Sequence, residues 1–357
     1  MKYLRKFDSV SDMETAIANT EVDFVGLAYN NGTPELNIVV ATPPVPDYTK
    51  PFYIEDLSGG VNTIEIIKDY SSAPTLAMEK SIDGETWESM GSTSTTAITA
   101  TIPANGKLYL RCNTVSWHND WVSKNTIKIT NTCNVGGNIM SLTYGSSFTG
   151  EQTTFKLGST YTFADLLRDN THIISAGNLL LPPTTLVGYC YEMMFSGCTA
   201  LTTAPELPAT TVNTDSYLSM FAGCTSLTKA PSILPITTMG HQSCMNMFRN
   251  CTSLTTAPIL PAITLYQGCY GSMFRGCTSL TKAPELPATT LVKSCYSSMF
   301  QDCINLNYIK CLATDISAEN CTTDWVNGVA ATGTFVKDPN MSSWTTGNNG
   351  IPSGWTV

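Results

Sequence analysis

The chain reads as a mainly β protein with short helices, built from a small α+β module, a β-sandwich and a C-terminal coil of stacked repeats. Three observations predict this. A Met-Phe pair recurs five times in the C-terminal half, at spacings of 26, 27, 26 and 26 residues. Ahead of it, short runs alternate apolar and polar residues between turn signals. Charged residues make up only 13% of the 357, about half the usual share, while Thr, Ser, Gly, Pro and Asn abound, which suits strands and turns.

Residues 1–45 form the first part. Asp8 or Ser9 can cap a helix through Met13 to Ala18. Val22–Tyr29 and Leu36–Ala41 read as strands around the turn Asn30-Asn31-Gly32. So short a module buries little by itself, so docking onto a partner is expected, with Phe7, Phe24 and Leu27 as candidate anchor contacts. Thr42-Pro43-Pro44-Val45-Pro46 is a stiff linker.

Residues 46–145 form the second part. Thr63–Ile66 is one alternating run. Leu108, Leu110 and Cys112 share a face opposite Lys107, Tyr109 and Arg111, and Ile127 and Ile129 alternate with Lys128 and Thr130. Asp83-Gly84 and Asn105-Gly106 mark turns. This is the pattern of an immunoglobulin-like sandwich. Ser81 to Trp87 is one residue short of the Asp-box of sialidase-type folds, and a plain hairpin explains it.

Residues 146–335 form the third part, closed by a cap at 336–357. Three residues after each Phe of the Met-Phe pair comes Cys (198, 224, 251, 277, 303), and three further on Leu (201, 227, 254, 280, 306). Ala-Pro follows in four copies. Cys190 and Met194, like Tyr191 and Phe195, are four apart, which predicts a short helix with one face inward. Gly197, Gly223, Asn250, Gly276 and Asp302 tolerate the left-handed conformation that would stop it. Leu-Thr-x-Ala-Pro is extended, since a residue before proline avoids the helical region. Such a unit cannot bury its apolar face alone, so the units stack, in a right-handed solenoid with the five Phe rings in one buried column. Leu181–Leu186 is a half repeat at the start, and Trp325 falls in the Phe slot of a worn sixth copy.

The Phe-x-Gly-Cys-x-x-Leu cores, with the closing Trp344-Thr-Thr-Gly and Gly350-Ile-Pro-Ser-Gly-Trp355, resemble leucine-rich repeats of the BspA-like kind found in treponemal surface proteins and encoded by gut Bacteroides and their phages. The resemblance covers roughly residues 170 to 330, and the 26-residue unit with its double-proline strand is longer than usual for that family. It implies a non-enzymatic display protein of a phage particle (a head fibre, tail fibre or capsid decoration), or else a bacterial surface adhesin; a glycan-active enzyme is the third reading, set behind both. In the first case the partners are other virion proteins, engaged through residues 1–45, further copies of the chain, and a host-surface glycan or protein.

The remaining features bound the function. A net charge of −9 and a pI near 4.8 exclude a phosphate-gripping surface, so no nucleic acid is expected. No apolar run reaches the length of a membrane helix. The opening MKYLRKFDSVSDMETA has no signal-peptide stretch, so export by the usual route is not expected, which sets the adhesin reading behind the virion one. Templates for metalloproteases, serine hydrolases, phosphate loops and dinucleotide sites are missing, so no enzyme, metal or cofactor is expected. Eleven of the 13 cysteines lie after residue 189, and their repeat spacing predicts buried free thiols, with Cys190, Cys244, Cys269 and Cys295 as a second column. Cys112 and Cys133 could pair across the sandwich or stay free. His241 near Cys244 reads as a surface turn rather than a nucleophile pair. Two surfaces suit a ligand: the strand-face column Thr203, Lys229, Thr256, Lys282 and Tyr308, and the aromatic pair Trp117 and Trp121, which could instead be core.

Overall fold

The computed structural model describes residues 46–68, 71–93, 97–118, 120, 124–341 and 344–357. The helix and strands expected before residue 46, with Phe7, Phe24 and Leu27, lie outside them. The chain divides into two compact units, Met1–Asp47 and Tyr48–Val357.

The second unit is mainly β. Eight strands come first: β1 Tyr53–Asp56, β2 Asn62–Lys68, β3 Ala77–Ser81, β4 Glu88–Ser92, β5 Ile98–Ile102, β6 Lys107–Cys112, β7 Asn125–Ile129 and β8 Cys133–Asn138. One short helix, α1 (Ser141–Tyr144), precedes β9 (Ile173–Leu180), and β10 (Tyr308–Cys311) and β11 (Thr334–Lys337) lie far downstream. One sheet runs β4-β3-β6-β1-β8-β9, a second β5-β2-β7. Period-two alternation sends Leu108, Leu110 and Cys112 of β6 and Ile64 and Ile66 of β2 into one core. At Gly137 (φ +77°) a Cβ would run into the Pro51 carbonyl, so β8 needs glycine there.

The repeats begin where this sheet ends. β8 pairs with β9 in parallel, from Cys133 opposite Ile173 to Asn138 opposite Leu180. Parallel bridges continue from Ser175 to Thr203 and from Thr203 to Lys229, and resume from Lys282 to Tyr308, Thr334 and Thr356. The boundary drawn at residue 145 therefore falls inside one hydrogen-bonded sheet.

The short helix expected in each repeat does not form. The N–H groups of Tyr189, Tyr191, Met193, Phe195 and Gly197 donate to carbonyls of the next turn, at Thr214, Ser216, Leu218, Met220 and Ala222. The N–H groups between them, from Glu192 to Cys198, donate only three residues back. The carbonyls of Cys190, Glu192, Met194 and Ser196 accept from the preceding turn, at Phe163, Asp165, Leu167 and Asp169. Thus from Tyr191 to Cys198 each backbone group has a partner, about half of them a full repeat away. An α-helix would use every N–H locally, four residues back, and leave nothing for the neighbour.

The geometry that permits this is a left-handed residue every four positions. Three columns result: Tyr161, Tyr189, Asp215, Gln242, Gly268, Ser294 and Asn320; Asp165, Met193, Ser219, Asn246, Ser272, Ser298 and Asp324; Asp169, Gly197, Gly223, Asn250, Gly276, Asp302 and Gly328. The third holds the five positions expected to be left-handed. The columns also reveal a first turn, Tyr161 to Asn170, ahead of the half repeat recognised in the sequence.

Inside, Phe195, Phe221, Phe248, Phe274 and Phe300 are wholly buried and stack with centroids 5.5–5.8 Å apart and planes within 11°. A second column runs Phe163, Tyr191 and Tyr217, and resumes at Tyr270 and Tyr296. Cys244 takes the place between, since its N–H donates to Cys269 as Tyr217 donates to Ser243. The second thiol column is therefore Cys190, Cys269, Cys295 and Cys321, with Ser216 and Ser243 filling its gap. Register also moves Trp325: Phe300 donates to its carbonyl as Phe274 does to Met299, so Trp325 occupies the Met slot and Val326 the Phe slot. From there Trp325 reaches both columns, stacking 6.3 Å from Tyr296 and tilting against Phe300, while Trp344 covers it at 5.5 Å.

The first thiol column has a bonding role. Cys224, Cys251, Cys277 and Cys303 each donate Sγ–H to the Phe carbonyl of the preceding turn at 3.0–3.1 Å, and Cys198 donates to Leu167. All 13 cysteines are free and buried, Cys112 and Cys133 included.

Two outcomes test the turn run. Ser272→Gly, at φ 52°, should stabilise the protein by about 1 kcal/mol in denaturant unfolding, by removing the left-handed penalty. In a helix the same change would destabilise by about that much. A thiol reagent should label none of the 13 cysteines in the native state and all of them after unfolding.

Candidate functional site

The repeat architecture sets the expected strand-face residues in one exposed file. Thr203 bridges Lys229, and Lys282 bridges Tyr308, each pair on neighbouring parallel segments. Lys229, Thr256 and Lys282 are exposed, Thr203 and Tyr308 half-buried. The Lys282 ammonium lies 5.1 Å above the Tyr308 ring, an arrangement that leaves cation and aromatic face adjacent at the surface. In the file beside it, the Thr228 hydroxyl donates to the Thr202 carbonyl at 3.3 Å. Thr225, Thr252 and Thr278 make the same bond one turn back, at 3.3–3.4 Å. These threonines clamp turn to turn, whereas no such bond is made by Thr203 or Thr256 among the described contacts.

Trp117 is not on this surface or any other. It is wholly buried, and its indole N–H donates to the Leu142 carbonyl at 2.9 Å, so it is core. Trp121 lies outside the described residues. Asp83 pins the β3–β4 hairpin: its carboxylate accepts from the Ser81 hydroxyl and the Glu85 and Thr86 N–H groups, which holds its pKa well below the carboxylate range.

Sequence reasoning missed the polar seam between β7 and the first turn. Lys124, Thr126 and Lys128 face Asp165, Arg168 and Asp169 across a cleft of about 210 Å³. Asp165 is nearly buried and takes Lys124 at 2.7 Å and Arg168 at 2.9 Å. Lys128 donates to the Arg168 carbonyl at 2.7 Å. Asn170, in the slot that later turns give to cysteine, accepts from Ile129 N–H and donates to the Ile127 carbonyl, tying β7 to the first turn. Behind the cleft, His118 Nε2 meets the Asn125 carbonyl at 3.1 Å, and burial pushes the imidazole down to about 4. The only trace in the sequence is YTFADLLRDN, whose Phe163, Leu166 and Leu167 carry the spacing of Tyr191, Met194 and Phe195 without the Met-Phe pair or the Cys.

Glu192 follows on the second turn. Burial first, then Asp165 and Asp215, push its carboxyl up to about 7, against Lys124 and Arg168. Asp215 on the third turn is also raised by burial, with His241 opposing. Cys244 is wholly buried and burial lifts its thiol to about 12, so the thiolate that nucleophilic chemistry requires is scarce at neutral pH. Among the described residues no three His, Cys, Asp or Glu side chains are placed to hold a metal ion, and no helix is long and apolar enough to cross a membrane. No family model, curated protein or solved structure matches the chain.

The seam makes stability depend on pH in two opposed ways. Glu192 rises from its ordinary value near 4.5 to about 7, so the folded state holds the extra proton between those values and stability falls as pH climbs from 4.5 to 7. His118 drops from 6.5 to about 4, so the unfolded state holds the extra proton and stability rises with pH from 4 to 6.5. The two slopes oppose each other in the wild type. In Glu192→Gln the melting temperature should fall clearly on acidification from pH 6.5 to 4.5, and at pH 8 it should exceed that of the wild type.

Proposed function

We propose that the chain is a non-enzymatic display arm: an immunoglobulin-like sandwich continued by a right-handed, BspA-like leucine-rich-repeat solenoid, held at residues 1–45 and offering its strand face to a host-surface glycan or protein. The observation that carries this is the unbroken hydrogen bonding from β1 through β8 and β9 into the turns, ending at the Thr334–Thr356 bridge. Hydrogen bonding so continued leaves no flexible hinge between the sheets and the repeats. Consistent with display rather than catalysis, the repeats commit their thiols and many threonine hydroxyls to bonds between turns.

The setting rests on the family resemblance: a phage particle, with other virion proteins contacting Phe7, Phe24 and Leu27. A bacterial surface adhesin is the competing setting, and immunogold labelling of infected cultures separates the two, by whether particles or uninfected cells carry the protein.

The ligand face has its own test. Lys282→Glu combined with Tyr308→Ala should leave the β fold intact by circular dichroism and weaken binding of the full chain to host cells or isolated capsular polysaccharide at least about tenfold, as loss of a cation and its aromatic platform would. Unchanged binding would remove the strand face from the proposal.

A further inference from the structure

The segments that follow the Ala-Pro pairs make a second outward face. Glu206, Pro208 and Thr210 are exposed while Leu207 and Ala209 between them are buried. The same alternation gives Ile259, Pro261 and Ile263 two turns on. Across the turns the central file is proline, at Pro208, Pro235, Pro261 and Pro287, with Leu312 last. The flanking files are Glu206, Ile233, Ile259, Glu285 and Lys310 on one side, and Thr210, Thr237, Ile263, Thr289 and Thr314 on the other. The array supplies its own baseline for these positions. At the turn carrying Ile259 and Ile263, isoleucine replaces both the acid and the threonine of the turn after it, and both side chains stand largely in water, 62% and 70% exposed. Each leaves most of its apolar surface in water, although Ile259 lies beside Ile233 of the turn before.

We propose that this proline-centred strip is the contact by which two copies of the chain associate, side by side, with their stacks running in the same direction. The pairing follows from the chemistry of the files. A two-fold rotation about an axis parallel to the stack sets the proline file against itself and exchanges the flanks. Ile259 then meets Ile263 of the second copy, while Glu206 and Glu285 meet Thr210 and Thr289, whose hydroxyls suit a carboxylate. Running the stacks in opposite directions about the Ile259 turn would instead bury Glu285 against Ile233. The prolines lose no backbone freedom on contact, which favours a face that must bind with little area. Five turns by five residues span about 24 by 16 Å, roughly 400 Å² per copy and about 800 Å² in all, which is below the standard range of specific interfaces, so the dimer is weak and reversible. Each chain carries −9, so salt should strengthen it. The inference is independent of the virion setting and of the strand-face ligand.

Sedimentation velocity of the full chain over roughly 1 to 200 µM, the range a small interface commands, is the test. A monomer–dimer equilibrium is expected, shifted toward dimer at higher salt. Ile259→Glu with Ile263→Thr restores residues that the neighbouring turn already carries, so folding is not at issue, and this variant should remain monomeric. A wild type that stays monomeric throughout, or a variant that dimerises equally, overturns the proposal. Direction is read separately. Because the native thiols are all buried, Pro208→Cys places the reactive thiol on the central file, where two same-direction stacks bring it against its own copy. Mild oxidation should then give a covalent dimer. Its absence while the reversible dimer persists would overturn same-direction pairing.

Discussion

The structure depends on the division of backbone hydrogen bonds between turns and within them. In every turn of the stack, alternate N–H groups reach forward to the next turn and alternate carbonyls reach back to the one before. The rest close locally. This gives the repeat a sheet's capacity to propagate without a strand's extended geometry, and it requires left-handed residues at fixed intervals, as at Tyr189, Met193 and Gly197. Glycine fills only some of these places. Where Met193 or Ser272 stands instead, the local penalty is offset by the inter-turn bonds that the conformation allows.

Because the ladder has a direction, the two ends of the stack are chemically unlike. The first turn presents carbonyls, and the preceding β region supplies donors: Trp117 N–H to Thr162, Ile127 N–H to Leu166 and Lys128 to Arg168. The last turn presents N–H groups, and the C-terminal segment supplies acceptors, with Asn349 Oδ1 taking Asp324 and the Asn348 carbonyl taking Val326. The strands and loops ahead of the first turn are thus the donor cap of the repeats. The polar seam around Asp165 and Asn170 is where this exchange is made, which accounts for charge concentrating there.

Much of this is legible in the sequence, for identifiable reasons. The buried Phe column, the left-handed file at Gly197 and its equivalents, and the alternating faces of β2 and β6 follow from spacing alone, because each reports a side chain's direction. The turns read as helices since four-residue spacing of apolar side chains is common to both, and hydrogen-bond partners 25 residues away leave no local mark. Trp325 falls one slot late when aromatic character is matched rather than register. The first turn, Tyr161 to Asn170, is hidden because its contacts are with β7 and its residues serve that neighbour. Trp117 is core because Leu142 offers its indole an acceptor inside.

The exchange at the fourth turn shows what repetition does and does not constrain. Cys244 stands where the neighbouring turns have tyrosine, and Ile236 where they have Ala209, Ala262 and Ala288. A ring is lost at one position and a branched chain gained at another within the same unit, so the interior volume is roughly conserved. The cohesive unit is therefore the whole turn with its private set of side chains, while the ladder at its edges is common property. An in-frame duplication or deletion of one such unit leaves both caps facing the chemistry they already match. The number of units is thus free to change while the chemistry of the two ends stays fixed.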